Sequence, residues 1–231
     1  MIAALPWYPA AQSTLDLLWR LARARLGYGP EALSWTASGD MPLLTQTCAP
    51  VWDRRYRGRL HPLGALDFGV APRGLYASVL VTRIEEGRTL DTCAPRVAVN
   101  DFESQSGWGA LRGLPIREVA ETGGHAASMA CVASGGADLA AIDAVTWRLA
   151  PHPRLAVRAT TPPTPAPPLL TAFPDRAQAL RDALAHAVRA LPLAHRRRTG
   201  LRAFVPLTDA HYDGLAPLPP RPRCNRAGIA A

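Results

Sequence analysis

Short runs of hydrophobic residues, separated by glycine and proline, recur along the chain. The run from Leu75 to Ile84 contains Val79, Leu80 and Val81 in succession, and residues of this kind favour strands. Runs of this type cover residues 2–7, 43–47, 60–66, 75–84, 96–99 and 138–142. We expect them to form strands of a mainly parallel sheet.

Helical spacing of hydrophobic residues occurs between these runs. Ser13 and Asp175 each precede a long apolar stripe, and both residue types are favoured N-caps because their side chains accept hydrogen bonds from unpaired backbone N–H groups. Shorter helices are expected from Ser106, from about His125 and after Asp143. Strands and helices therefore alternate, which indicates the α/β class.

The charge of the chain points to small anions. The formal net charge is +8, and all 26 basic residues are Arg. They are scattered, since residues 196–198 form the only run of three consecutive basic residues, and no helix-turn-helix pattern accompanies it. This distribution argues against nucleic-acid binding and indicates a general positive field instead.

Other sequence features exclude several classes of protein. No stretch of 18 or more uninterrupted apolar residues is present, so no membrane insertion is predicted. Residues 1–8 lack the features of a secretory signal, which favours a cytoplasmic location. Cys48, Cys93, Cys131 and Cys224 are widely spaced, without a Cys-x-x-Cys pair. We therefore expect reduced thiols, no metal site and no cofactor.

The segment Ser104-Gln105-Ser106-Gly107 lies between a predicted strand and a predicted helix. A helix N-terminus exposes unpaired N–H groups and a partial positive charge, and the two hydroxyls add donors. Gly107 would allow an anion to approach closely. The segment therefore suits a phosphate, phosphonate, sulfonate or carboxylate, although an ordinary Ser N-cap without ligand is the simpler alternative.

Three segments taken together are more informative than this tetrapeptide. They are residues 96–107, residues 121–128 (Glu-Thr-Gly-Gly-His-Ala-Ala-Ser) and residues 135–143 (Gly-Gly-Ala-Asp-Leu-Ala-Ala-Ile-Asp). In this order and near this spacing they resemble the second lobe of the phosphate, phosphonate and sulfonate substrate-binding proteins of ABC transporters. Residues 74–81 and 160–171 resemble the two segments in which that family's chain crosses between its lobes.

The resemblance implies a two-lobed, type 2 periplasmic-binding-protein fold, similar to a transferrin lobe. Residues 1–82 and 154–215 would form a discontinuous first lobe, residues 83–153 the second lobe, and residues 216–231 a flexible Pro- and Arg-rich tail. It also implies a monomer that performs no catalysis, closes a cleft over a small anionic ligand and acts with ABC permease subunits. That role would be periplasmic, with export by another route.

The resemblance also assigns residues to the ligand site. By position, Ser104, Gln105, Ser106 and Gly107 would hold the anion, and His125 would donate to it. Further residues expected to line the site are Tyr76, Tyr8, Thr45, Gln46, Thr47 and Asp143. From the residues alone, a structural role for His125 and a helix-cap role for Asp143 are the alternatives.

The sequence departs from the aminoalkylphosphonate-binding branch of that family. That branch places acidic residues, which take up the ligand's ammonium group, at positions corresponding to about Val145 and to Ala166 or Pro167. A buried ammonium group needs a charged partner or a full set of acceptors. We therefore expect a ligand without a primary amine.

Two other classes of function use the same residues. A cytosolic ligand sensor or partner-binding domain would use the cleft as a switch. A serine hydrolase would combine Ser104 or Ser106 with His125 and Asp143, but the Gly-x-Ser-x-Gly turn typical of such nucleophiles is absent.

Overall fold

The computed structural model describes residues 1–35, 41–93 and 96–221. Contacts within the chain divide it into two compact units, called unit 1 and unit 2 below. Unit 1 comprises Met1–Ala77, Ala144–Ala150 and Pro162–Ala216, and unit 2 comprises Ser78–Asp143, Pro151–Thr161 and, of the residues after Ala216, the described residues 217–221. In the described ranges, no helix combines the length and hydrophobicity needed to cross a membrane.

Strands and helices are both distributed along the whole chain, but they do not alternate strictly, since β3 to β5, β6 to β7 and β9 to β11 follow one another without an α-helix between them. The strands are β1 (Ile2–Ala3), β2 (Pro42–Gln46), β3 (His61–Asp67), β4 (Leu75–Tyr76), β5 (Ser78–Arg83), β6 (Arg96–Val99), β7 (Glu118–Glu121), β8 (Leu139–Asp143), β9 (Leu155–Thr160), β10 (Thr164–Pro165), β11 (Leu169–Thr171) and β12 (Ala203–Val205). The α-helices are α1 (Gln12–Leu26), α2 (Ala49–Arg55), α3 (Leu90–Cys93), α4 (His125–Ala133), α5 (Ala144–Leu149), α6 (Ala177–Ala190) and α7 (Leu193–Thr199). Each predicted apolar run overlaps at least one strand.

Unit 1 contains a mixed five-stranded sheet in the order β1-β2-β11-β3-β12. β1 is parallel to β2, but β11 is antiparallel to both of its neighbours and β12 is antiparallel to β3. A separate antiparallel pair joins β4 to β10. The expectation of a mainly parallel sheet is therefore wrong, because an apolar run reports the burial of a strand and not its direction.

Helices α1 and α6 supply much of the core of unit 1. Leu15 and Leu18 of α1 and Leu180 and Leu184 of α6 are buried in one hydrophobic cluster, together with side chains of β2 and β3. These are positions that the helical spacing predicts. The cluster anchors the strands of unit 1, because each buried aliphatic side chain contributes about 1.5–3 kcal/mol of transfer free energy.

The starts of both long helices differ from the predicted caps. A 3-10 turn precedes each helix, at Pro9–Ala11 before α1 and at Pro174–Arg176 before α6. Ser13 therefore lies inside α1, and Asp175 lies inside the second 3-10 turn, so neither is the N-cap. Proline at the first position favours such a turn, because its ring fixes φ at about −65° and it has no N–H to leave unpaired.

Unit 2 is built on a second five-stranded sheet in the order β7-β6-β8-β5-β9. β6 is parallel to both β7 and β8, whereas β5 is antiparallel to β8 and β9. The carboxyl ends of β6, β7 and β8 therefore lie at one edge of the sheet. This edge carries the segment after Val99, the start of α4 after Glu121, and Asp143 at the end of β8.

The opposite edge of this sheet carries an ion-pair network around Asp138. Arg96 donates to both carboxylate oxygens of Asp138, at 2.9 and 2.8 Å, and Arg83 donates to one of them at 3.2 Å. Asp138 is 2% exposed. The hydrogen bonds from Arg96, more than those from Arg83, lower the pKa of Asp138 to about 2. The network therefore lies at the amino-terminal ends of β6 and β8.

The contacts divide the chain differently from the predicted lobe limits near residues 82 and 154. All of β5 belongs to unit 2, because it pairs with β8 and β9, while α5 belongs to unit 1. Of the predicted tail, residues 217–221 are assigned to unit 2, and residues 222–231 lie outside the described residues.

Cys48 and Cys131, the two cysteines whose side chains are described, are not part of a disulfide. Cys224 and the side chain of Cys93 lie outside the part of the chain that is described.

Candidate functional site

The segment after β6 forms a compact turn in place of the predicted helix. The backbone N–H of Ser104 donates to the Asp101 carbonyl at 3.1 Å, and that of Gly109 donates to the Ser104 carbonyl at 2.9 Å. Only a short 3-10 helix, Gly109–Leu111, follows. The prediction of an α-helix from Ser106 is therefore wrong, and with it the argument from a helix N-terminus. Residues 100–109, which include the segment predicted to bind an anion, are called the anion turn below.

Ser104 closes the anion turn with its side chain. Its Oγ accepts a hydrogen bond from the backbone N–H of Gly107 at 3.0 Å, and the residue is 4% exposed. A hydroxyl oxygen that accepts from a backbone N–H three residues later is the usual way in which Ser stabilises a turn. Ser104 therefore has a structural role, and its hydroxyl proton is still available for donation.

Gly107 is required because Asn100 occupies the space beside it. A Cβ atom at position 107 would lie 1.9 Å from Asn100 Oδ1 and 3.2 Å from Ser104 Oγ. The residue has no left-handed backbone conformation that would demand glycine. The need for glycine is therefore one of close approach between the anion turn and the end of β6.

His125 reaches the anion turn from the neighbouring strand connection. It is the first residue of α4, after Gly124 as N-cap, and α4 follows β7, which is parallel to β6. His125 Nε2 lies 3.0 Å from Ser106 Oγ, within hydrogen-bond distance. Ser106 Oγ also lies 3.4 Å from Ser104 Oγ, which is long for a bond between hydroxyls. The structure thus joins the predicted Ser106 and His125 directly.

Burial keeps the His125 ring neutral at physiological pH. Loss of solvation lowers the pKa of His125 from 6.5 to about 4. The backbone carbonyl of Ala141 favours the charged ring to a smaller degree. A neutral imidazole has one donor and one acceptor, so His125 can donate a hydrogen bond to an anion or to Ser106 without adding charge.

Three buried side-chain atoms at the anion turn have no hydrogen bond of ordinary geometry within the described residues. They are Asn100 Oδ1, Gln105 Oε1 and His125 Nδ1. Buried polar atoms in folded proteins are almost always paired, by the protein, by water or by a ligand. Their concentration on the turn and on the first residue of α4 marks this place as one where a polar partner from outside the chain would be favourable.

The residues that hold the start of α4 against the end of β6 were not identified from the sequence. Thr122 Oγ1 donates to the Val99 carbonyl at 3.0 Å and lies 2.7 Å from Ser128 Oγ. These contacts tie the start of α4 to the end of β6. Asn100 was also missed, although a polar residue directly after a buried strand is a usable signal, because strand ends of α/β sheets carry ligand sites.

The other predicted site residues belong mainly to unit 1, in two groups. Thr45 and Gln46 lie in β2, opposite β11, and Thr47 follows them. Gln46 Nε2 donates to the Pro167 carbonyl at 3.3 Å. Tyr76 lies in β4 opposite Thr164 of β10. Both groups therefore contact the segment around residues 164–167.

Tyr8 and Asp143 have different surroundings. Tyr8 packs edge-on against Phe68, with 5.1 Å between ring centroids, and belongs to the core of unit 1. Asp143 ends β8 in unit 2, pairs across the sheet with Ser78 and is 2% exposed. It lies at the same sheet edge as the anion turn. The predicted helix does begin directly after it, as α5.

The positions that the aminoalkylphosphonate branch uses for acids are apolar and buried here. Val145 is 2% exposed in the core of unit 1. Ala166 is 3% exposed in a second cluster of unit 1, and its carbonyl accepts from Tyr212 Oη at 3.0 Å. Within the described residues there is also no group of three or more His, Cys, Asp or Glu side chains that could hold a metal ion.

No protein-family model and no curated protein matches this sequence. Solved structures do match it over most of its length. A Xanthomonas citri protein bound to ATP is 19% identical, with a TM-score of 0.65 over 91% of this chain and 92% of that one. PhnD1 from Prochlorococcus marinus in complex with methylphosphonate is 14% identical, with a TM-score of 0.69 over 92% and 93%. A binding-protein component of an ABC phosphonate transporter from Pseudomonas aeruginosa is 13% identical, with a TM-score of 0.63 over 91% and 83%.

At these identities the similarity concerns the fold. The structural neighbours also include the periplasmic binding protein BugD, with a TM-score of 0.58. The Pseudomonas aeruginosa protein and BugD are binding proteins by name, and the predicted fold class agrees with their fold. The chain therefore has the two-lobed α/β fold of the periplasmic binding proteins.

Proposed function

We propose that this chain is a solute-binding protein that holds a small oxyanion on the anion turn, with the hydroxyls of Ser104 and Ser106 and the neutral ring of His125 as its polar partners. The proposal is supported first by the fold, which this chain shares with binding proteins that hold small ligands. It is supported second by the position of the turn at the carboxyl ends of parallel strands, where α/β folds place their ligands.

The single observation that carries the proposal is the group of buried polar atoms on the anion turn. Ser106 Oγ and His125 Nε2 are 3.0 Å apart, and Asn100 Oδ1 and Gln105 Oε1 have no partner within the described residues. With the proton on Nε2, His125 donates to Ser106 Oγ and the Ser106 hydroxyl is left to donate to an anion; with the proton on Nδ1, Ser106 donates to Nε2 and the Ser104 hydroxyl is the donor that remains. The carbonyl oxygens of Asn100 and Gln105 would accept from a protonated oxygen of the same ligand.

A phosphorus oxyanion is the ligand class that we propose. The described ligands of two structural neighbours are ATP and methylphosphonate, which share a tetrahedral phosphorus with charged oxygens. The apolar Val145 and Ala166 argue against a primary amine on the ligand, since they offer no carboxylate to an ammonium group. The ligand that we propose is thus a phosphate, phosphate ester or phosphonate without an amino group.

We further propose that the lobes close over this ligand and that the complex acts with ABC-type permease subunits in transport. Closure is the usual response of two-lobed binding proteins, because the bound ligand contacts both lobes only in the closed state. Small-angle scattering with and without saturating ligand tests it. An unchanged radius of gyration would contradict closure and leave the binding site itself to be judged by calorimetry.

The experiment that tests the proposal is a thermal-shift panel followed by calorimetry. The panel contains inorganic phosphate, methylphosphonate, ATP, sulfate and 2-aminoethylphosphonate. A ligand at a hundredfold excess over its dissociation constant stabilises the protein by about 2.7 kcal/mol and raises the melting temperature clearly. We expect stabilisation by at least one phosphorus compound, and less by its amino analogue. No stabilisation by any oxyanion, or strongest binding by 2-aminoethylphosphonate, would contradict the proposal.

A further inference from the structure

The chain returns to unit 2 after its last stretch in unit 1. Residues 162–216 belong to unit 1, whereas residues 217–221 belong to unit 2. Residues 217–221 are called the C-terminal strap below. The sequence predicts a flexible tail for them because of their proline content, but this segment makes several defined contacts with the anion turn.

The main polar contact joins the strap to Trp108. The indole Nε1 of Trp108 donates to the Pro219 carbonyl at 2.8 Å, and Trp108 is 3% exposed. Arg112 donates in addition to the Pro217 carbonyl. Two backbone carbonyls of the strap therefore accept hydrogen bonds from side chains at and just beyond the C-terminal end of the anion turn.

Apolar and cation–π contacts continue the same interface. Leu218 packs against the hydrophobic cluster that contains Trp108, and its Cδ2 lies 3.1 Å from the position of a Cβ atom at Gly109. The Arg221 guanidinium lies over the Phe102 ring, 4.6 Å from its centroid. Phe102 in turn meets Trp108 edge-on, with 5.2 Å between centroids.

These contacts reach both ends of the segment that carries the Ser hydroxyls. Phe102 lies two residues before Ser104, and Trp108 lies two residues after Ser106. Without the strap, the indole N–H of Trp108 would lose its acceptor and the ring would lose its cover. Because a buried unpaired donor is unfavourable, we expect Trp108 to move toward solvent and to carry Gly107 and Gly109 with it.

We propose that the C-terminal strap is a positioning element of the ligand site, which holds Phe102 and Trp108 so that the anion turn keeps its ligand-binding shape. The effect on affinity rests on the proposed function, whereas the ordering of the turn does not. Linkage makes the effect reciprocal: a ligand on the turn strengthens the docking of the strap by the same factor by which the strap strengthens ligand binding.

Two truncations form the test. One deletes residues 217–231 and removes the strap, and the matched control deletes residues 222–231 and retains it. Hydrogen exchange of the Gly107 and Gly109 amides reports on the turn, and calorimetry with methylphosphonate or inorganic phosphate reports on affinity. We expect the first truncation to accelerate exchange at both amides and to weaken binding about tenfold or more, which lies within the usual range of coupling between sites. The control truncation should match the full chain in both measurements.

Two point variants test the same inference if the truncated chain fails to fold. Trp108→Phe removes the indole N–H and keeps an aromatic ring, and Leu218→Ala removes the apolar anchor. Each should accelerate exchange at Gly107 and Gly109 more than at amides of β8. Equal exchange in the strap-free and control truncations would overturn the inference. If exchange is faster in the strap-free truncation but the full chain binds no oxyanion, the ordering of the turn by the strap is supported and the proposed function is contradicted.

Discussion

Asn100 and Gly107 lie so close together that a Cβ atom on residue 107 would be 1.9 Å from Asn100 Oδ1. The anion turn can therefore fold back onto the end of β6 only because residue 107 has no side chain. Asn100 Oδ1 itself has no hydrogen-bond partner in the described chain. This contact fixes the distance between the strand end and the two Ser hydroxyls.

The variant Gly107→Ala should abolish or strongly weaken oxyanion binding. The added methyl group must displace Asn100 or open the turn, and either change moves Ser106 relative to His125. We expect a loss of affinity of at least a hundredfold in calorimetry, with a melting temperature lowered by a few degrees. Gly87→Ala is the control, since nothing lies within 4 Å of a Cβ atom there. Unchanged affinity in Gly107→Ala would show that the turn does not hold the ligand.

Ser106→Ala should weaken binding without unfolding the protein. Loss of one hydroxyl donor to a charged oxygen costs about 1.5–3 kcal/mol, which is roughly one to two decades in the dissociation constant. Ser134→Ala is the matched control in unit 2, because Ser134 is exposed and its Oγ bonds only to the Cys131 carbonyl among the contacts of the described residues. Calorimetry that gives equal affinities for both variants would remove Ser106 from the site.

The stability of the protein should fall as the pH drops below about 6.5. Burial lowers the pKa of His125 from 6.5 to about 4, so between these values the unfolded chain binds a proton that the folded chain does not. The linked loss of stability between pH 7.5 and pH 5 is about 2 kcal/mol. Urea unfolding of His125→Gln should lack this part of the decline, while the exposed His186→Gln should retain it.

Asp138 adds a second loss at lower pH. Hydrogen bonds from Arg96 and Arg83 lower the pKa of Asp138 from 3.8 to about 2. The stability from this group is fully present above pH 3.8 and is lost as the pH falls toward 2. A stability curve that stays flat from pH 7.5 to pH 3 would contradict the assignments of both His125 and Asp138.

Asp138→Asn should lower stability and leave oxyanion affinity unchanged at neutral pH. The substitution weakens charge-assisted hydrogen bonds from Arg96 and Arg83, at a cost of about 2 kcal/mol in unfolding free energy. The affinity is unaffected because this network and the anion turn lie at opposite edges of the unit 2 sheet. Asp91→Asn, at an exposed position of α3, is the control. A large change in affinity would mean that the two edges are coupled.

Much of the fold could be predicted from hydrophobic spacing. Two apolar stripes are long enough for their spacing to identify a helix and exclude a strand. One contains Leu15 and Leu18 and the other Leu180 and Leu184, and all four residues are buried in the core. Strand directions could not be predicted, because β11 and β12 pair with strands more than a hundred residues earlier. Such pairings leave no local signal in the sequence.

The sequence predicted that Ser106 and His125 belong to one site, but it predicted a helix N-terminus where the structure has a turn. Ser106 and His125 meet because β6 and β7 are parallel neighbours. The resemblance placed both residues at the ligand site, but no strand was predicted at β7. The expected helix dipole is absent, since the residues after Ser106 form a turn and a short 3-10 helix. Ser is favourable both as a helix cap and in a turn, so the sequence could not show which of the two structures is formed at Ser106.

The order of strands in unit 1 has a consequence for synthesis on the ribosome. β11 lies between β2 and β3 in the sheet, but it follows β3 by 102 residues, from Asp67 to Leu169. At translation rates of about 5–20 residues per second, β2 and β3 wait about 5–20 s for the strand that separates them. All strands of unit 2 are made during this interval, because they lie between Ser78 and Thr160. The nascent chain therefore exposes unpaired strand edges of unit 1 while unit 2 can already fold, and unit 1 is the part that chaperones would need to protect from wrong pairing.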